Sequence, residues 1–153
     1  MTRKALLFLL IVFVLVLSAC AVVGAAPVQG PRDRDLRVAF LFNGPANDGG
    51  WMTSHNLSRL AVESMDGVTT AFADRVPEAE GRIYMTNFVR EGYDVIFACS
   101  FGYMQAMREV ALENPDRIFM HCSGHLTEAN MGNYYGNNHE GAFLGGMAAG
   151  AVT

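Results

Sequence analysis

Three short stretches of the chain hold residue types that could do chemistry. The first, Asn43-Gly-Pro-Ala-Asn-Asp-Gly-Gly-Trp51, sets a carboxylate close to an indole. Gly49 and Gly50 would let the backbone approach a ligand, Asp48 would accept from its N–H or O–H groups, and Trp51 would offer a stacking face. The same residues also suit plain turn chemistry, with Asp48 capping a helix and Trp51 in the core. His55, one turn later, reads as a solvated or capping residue. The second stretch, Ser100-Phe101-Gly102-Tyr103, could form a backbone N–H cradle at a helix start, while Phe101 could stack on a ligand or plug the sheet end. It matches neither G-x-G-x-x-G nor G-x-x-x-x-G-K-[ST], which argues against a dinucleotide or ATP site. The third, His121-Cys122-Ser123, puts candidate nucleophiles beside a base. Neighbours on a strand point to opposite faces, which is poor geometry for a dyad. With Cys99 these residues form no spaced Cys/His cluster, so no metal site and no catalytic residue is expected.

The elements that must position these stretches alternate in type. Arg37–Phe42 is a short apolar run stopped by Asn43-Gly44-Pro45, which suits a strand buried on both faces. Ser54–Met65 carries Leu57, Leu60, Ala61 and Met65 at helical spacing, with Gly67 as a stop. Val68–Phe72 reads as a second strand, Glu78–Arg90 as a weaker helix, Asp94–Cys99 as a third strand and Gly102–Glu113 as a helix closed by Asn114-Pro115. Arg117–Cys122 and Met131–Tyr135 read as further strands before a small-residue helix from His139 onward. Such alternation predicts an α/β fold, a doubly wound parallel sheet with helices on both faces. Sheets of this kind bind ligands outside the carboxyl ends of their strands. The loops Asn43–Trp51, Ser100–Tyr103 and Ser123–Thr127 are therefore the candidate ligand face.

Composition narrows the function. With 153 residues, 51% hydrophobic and 17% charged, the chain is of globular type, and its 11 Lys+Arg against 15 Asp+Glu give a net charge of −4. Arg3 and Lys4 precede the unbroken apolar run Ala5–Leu17 and the small residues Ser18 and Ala19, the order of an export signal. Losing those two cations leaves 9 − 15 = −6. An acidic chain without a basic run is a poor partner for nucleic acid. Leu17-Ser18-Ala19-Cys20 resembles a bacterial lipobox, which would make residues 1–19 a cleaved leader and Cys20 the site of lipidation. Cleavage without lipidation after an Ala-x-Ala site and an uncleaved anchor are the alternatives. Residues 20–36 read as a tether. Export implies an oxidising compartment, yet Cys99 and Cys122 are expected as free thiols at the ends of adjacent strands, because a bridge directly across neighbouring strands is geometrically demanding.

Val38–Trp51, Gly92–Met104 with Asn114–Phe119, and Glu140–Gly150, taken together with the lipobox, resemble the basic membrane protein (BMP) family of ABC-transporter solute-binding lipoproteins. The resemblance covers nearly all of residues 37–153. It implies the N-terminal lobe of a type I periplasmic binding protein, with flavodoxin-like strand order and without its second lobe. Two such lobes close on a small molecule, with purine bases or nucleosides as the usual ligands and an ABC permease as the partner. No cofactor is implied. The protein would be lipid-anchored on the extracytoplasmic side of a membrane. Carried over onto this sequence, Asp48 and Trp51 fall in the first ligand-holding loop, and Ser100, Phe101 and Gly102 in the next ligand-facing turn. At the fourth strand, His121-Cys-Ser-Gly124 departs from the Asp common in nucleoside-binding members and looks more like a His-x-Thr-Gly branch, which leaves a free base or another small planar solute open. A surface lipoprotein in adhesion or signalling, and an enzyme on a flavodoxin-like sheet, are the rival readings.

Overall fold

The computed structural model describes residues 34–152. The expected leader, Cys20, most of the tether and Thr153 lie outside the described residues. Among the described residues are five strands and four α-helices, which alternate except that β5 follows β4 directly: β1 Leu36–Leu41, α1 Trp51–Glu63, β2 Val68–Ala73, α2 Gly81–Arg90, β3 Val95–Ala98, α3 Met104–Glu113, β4 Ile118–Cys122, β5 Met131–Tyr134 and α4 Asn138–Gly150. Short 3-10 turns, Glu78–Glu80 and Phe101–Tyr103, lead into α2 and α3. The strands form one sheet in the order β2-β1-β3-β4-β5, and every pair is parallel. This is the doubly wound, flavodoxin-like order that the alternation and the resemblance predict.

Strand periodicity sorts the side chains onto two faces. Ala39, Leu41, Ile96, Ala98 and Phe119 pack with Met85 and Phe88 of α2 and Met107 and Val110 of α3. The alternate residues Val38, Phe40 and Phe42 pack with Met52 of α1 and with Cys99. Parallel strands covered on both sides read as unbroken apolar runs, which is why these strands were visible as such in the sequence.

Helical spacing does not give the rotation of α1. Its Leu57, Leu60 and Ala61, and Met65 just beyond its end, form no inward stripe; all four are exposed. The residues facing the sheet are Met52, Arg59 and Val62. Arg59 can sit there because its stem is apolar while its guanidinium donates to Asn56 Oδ1 (2.9 Å), Glu63 Oε2 (2.8 Å) and Thr70 Oγ1 (2.8 Å) and lies 4.9 Å over the Phe72 ring. Helical spacing identifies a helix but does not fix its rotation when a satisfied arginine competes for the inner face.

At the amino ends of the strands, Asp94 ties the sheet together. It accepts from Arg34 on both oxygens (2.9 and 2.7 Å), from the Arg37 backbone N–H (3.0 Å) and from Arg117 (3.3 Å). At the far end of the chain, α4 buries none of its residues, and Phe143, Leu144 and Met147 are exposed.

Candidate functional site

The loops at the carboxyl ends of the strands begin with Asn43–Gly50. Gly49 has φ 72°, the left-handed turn that glycine accepts freely. The turn brings Asp48 back onto the start of α1. Its Oδ1 accepts from the backbone N–H of Gly50 (2.8 Å) and Thr53 (3.0 Å), and its Oδ2 from Met52 (3.1 Å). These backbone bonds hold the carboxyl at about 2, below its ordinary value. Asp48 thus tethers the opening turn of α1 through backbone N–H groups, with Gly50 as the residue that flanks the helix.

Trp51, the first residue of α1, follows neither the core reading nor free exposure. Its Nε1–H donates to the Cys99 carbonyl at the end of β3 (2.7 Å), and the side chain remains 38% exposed. His55 meets the indole edge-on with ring centroids 4.9 Å apart, and Tyr135 lies 6.2 Å away on the loop after β5. The indole is thus oriented by a hydrogen bond while part of it faces outward, the arrangement a planar ligand can stack on. A cavity of about 450 Å³ runs from this point along the sheet, lined by Trp51, His55, Phe97, Cys122, Tyr134 and Tyr135 among others. Burial pushes the His55 imidazole below its ordinary value, so it is held as a neutral aromatic neighbour of the indole.

The turn after β3 supplies the middle of the site. Ser100 Oγ accepts from Asn43 Nδ2 (3.0 Å) and donates to Glu78 Oε1 (2.5 Å). Phe101 is 56% exposed and lies 6.3 Å from the His125 ring on the loop after β4. Tyr103 is buried instead; its hydroxyl donates to the Val76 carbonyl (2.7 Å) and its ring packs where a Cβ on Gly81 would stand 2.4 Å away. Beneath the turn, buried His121 places Nε2 2.9 Å from the Ser100 carbonyl, and burial lowers its proton affinity. That leaves Nε2 as the donor in this bond.

Among the described residues, two non-glycines hold left-handed backbone, Arg75 (φ 55°) after β2 and Ser123 (φ 65°) after β4. Both lie on this end of the sheet, and such conformations concentrate where structure is held for function. His121 and Cys122 turn to different surroundings, the former to Ser100 and the latter to the cavity beside Tyr134, so they form no dyad. Cys99 and Cys122 are free and buried; Cys99 lies 3.8 Å from the Tyr134 hydroxyl, and burial pushes its thiol up to about 12. A thiol kept protonated is no nucleophile. No His/Cys/Asp/Glu group able to hold a metal occurs among the described residues.

The structure therefore gathers Trp51, Ser100, Phe101 and Gly102 at one end of the sheet, with Asp48 beside them holding α1. The sequence reading missed Glu78 and Tyr135, and gave Asn43, although it opens the first candidate loop, no role of its own. Glu78 was absorbed into a helix start, although its place after the second strand put it on the ligand side of a parallel sheet.

With this geometry in place, comparison with known proteins is decisive. The family model described as "ABC transporter substrate-binding protein PnrA-like" matches residues 36–153. The chain belongs to this family. It is a family of substrate-binding proteins, not of enzymes. The chain is 36% identical over 120 residues to the purine-binding protein BAB2_0673 of Brucella abortus, covering 76% of this chain and 34% of the relative. It is 33% identical over 131 residues to a candidate ABC transporter glucose-binding protein, TsgA13, of Haloferax volcanii, covering 85% of this chain and 33% of the relative. The chain thus spans about a third of the length of the curated relatives it matches. The fold is similar to an ABC transporter solute-binding protein of Conexibacter woesei (TM-score 0.58, 17% identity, 65% of this chain and 35% of that one). It is also similar to one of Aeropyrum pernix (TM-score 0.59, 20% identity, 65% and 28%).

Proposed function

We propose that this PnrA-like chain is the ligand-holding first lobe of an ABC-importer receptor for a purine base or nucleoside. The observation that carries the reading is Trp51, fixed by its bond to the Cys99 carbonyl with part of its ring open between His55 and Tyr135. A planar heterocycle gains from such a face, and the purine-binding Brucella relative supports that choice of ligand. A second lobe would close over the strand ends and bury the ligand. It would also cover α4, whose Phe143, Leu144 and Met147 are exposed.

The second reading is a sugar, favoured by the Haloferax relative and by the hydrogen-bonding side chains of Asn43, Ser100 and Glu78. Calorimetric titration of adenine, adenosine, guanosine, inosine and glucose into the full-length protein separates them: saturable binding of a purine with no glucose signal is expected, and the reverse sinks the purine reading. The receptor would be anchored through an acylated Cys20 and hand its ligand to a permease. The mature intact mass should then begin at Cys20 and include acyl chains; a mass beginning elsewhere rules the anchor out.

A further inference from the structure

We infer that Glu78 is a specificity residue of this site, selecting ligands that present hydrogen-bond donors and no negative charge; the inference rests on the receptor reading above. Glu78 is held in place by its surroundings. The segment before it is pinned to the loop after β1 by Arg75 N–H to the Gly44 carbonyl (3.2 Å) and Val76 N–H to the Phe42 carbonyl (3.1 Å). The Tyr103 hydroxyl holds the Val76 carbonyl, and the close approach of the Tyr103 ring to Gly81 draws the start of α2 against the turn after β3.

The carboxylate is then used on one side only. Oε1 takes the Ser100 hydroxyl and lies 3.5 Å from Asn43 Nδ2. Oε2 reaches over Gly102, where a Cβ would stand only 1.9 Å from it, and it has no hydrogen-bond donor among the described residues. No cation pairs with Glu78 among those residues either. The Asn43 amide nitrogen is committed to Ser100, which leaves its Oδ1 as a second acceptor. Three loops thus converge on a patch that offers acceptors and a negative charge, beside the Ser100–Gly102 turn and within one residue of the carbonyl that anchors Trp51. A ligand that stacks on the indole and extends across the Ser100–Gly102 turn would meet this patch with an exocyclic amine, a ring N–H or a hydroxyl. An acceptor edge or an anion there would face repulsion, which is selection by exclusion.

The test is calorimetry on the full-length protein and three variants, with adenine, unsubstituted purine, urate and glucose as probes. Glu78→Gln keeps an oxygen for Ser100 but replaces the free acceptor with an amide donor. It should weaken adenine binding by about tenfold or more, the size expected of a charge-assisted hydrogen bond, and should weaken unsubstituted purine less. Gly102→Ala should do the same, because its new methyl group displaces the carboxylate. Ser100→Ala, which removes only the tie, should weaken adenine less than Glu78→Gln does. Urate should bind wild type poorly and gain in Glu78→Gln. Wild-type adenine affinity in Glu78→Gln, together with a loss in Ser100→Ala, would show that Glu78 only ties loops and would overturn the inference. If wild type binds glucose and no purine, the purine reading falls, and the same Glu78→Gln comparison on glucose decides the carboxylate's role. Binding of none of the probes overturns both.

Discussion

The two ends of the sheet each carry a carboxylate held by residues distant in sequence, and the contrast between them separates structure from function. Asp94, at the amino ends, is buried and accepts from Arg34, Arg117 and the Arg37 backbone, so both of its oxygens are occupied from within the protein. Glu78, at the carboxyl ends, is exposed and bonded on one oxygen. Asp48, a few residues from Trp51, resembles Asp94 more than Glu78: three backbone N–H groups occupy it. A carboxylate whose acceptors are filled by its own fold stabilises that fold, whereas one fixed in position with an acceptor left over is equipped to meet something else.

The largest effect expected from this contrast lies at the amino end. Asp94→Ala should lower stability by about 1–3 kcal/mol, because it leaves the Arg37 backbone N–H and the part-buried Arg117 without their acceptor while the exposed Arg34 is resolvated, and should leave ligand affinity unchanged. Urea unfolding with parallel calorimetry checks both; a loss of affinity at constant stability would erase the distinction between the two ends.

A smaller effect follows from His121, which supports the ligand end from below. Burial holds its folded value below the ordinary 6.5, so the unfolded chain takes up the proton first. Its contribution is complete above that ordinary value and is lost as pH falls below it. The facing groups oppose one another: His125 disfavours a second positive charge, whereas the Ser100 carbonyl and Asn133 favour the protonated ring, and burial outweighs them. The urea midpoint of wild type should therefore fall between pH 7 and 5 by more than that of His121→Gln. Equal slopes would mean that the imidazole is not held neutral. The smallest effect should come from α1: Leu57→Gln should change stability by no more than about 0.5 kcal/mol, the usual range for an exposed position. A loss of several times that would restore Leu57 to the core.

The fold was almost wholly legible because parallel, doubly covered strands leave contiguous apolar runs such as Val38–Phe42 and Val95–Ala98, and the parts between them carry stops at Gly67, Gly92 and Pro115. The rotation of α1 was not legible. It depends on Arg59 finding Thr70 and Phe72, partners on the next strand that no periodicity reveals. In the candidate site, Trp51 and the Ser100–Gly102 turn stand out as unusual residues in strand-end loops, whereas the three backbone bonds of Asp48 follow from a turn geometry that its residue type alone does not fix. Glu78 was hidden because a glutamate before a helix looks like any other helix start; its meaning comes from Ser100, 22 residues away.

On the proposed function the ligand sits at the carboxyl end of the sheet, with Trp51 as its stacking face. Titrating the purine that binds best into wild type and Trp51→Ala of the full-length protein tests it directly. The variant should lose roughly 1–3 kcal/mol of binding, by analogy with bases stacked on aromatic side chains in single-strand binders, with the unfolding transition retained. Equal affinity in a folded Trp51→Ala protein would contradict it and move the site away from these loops.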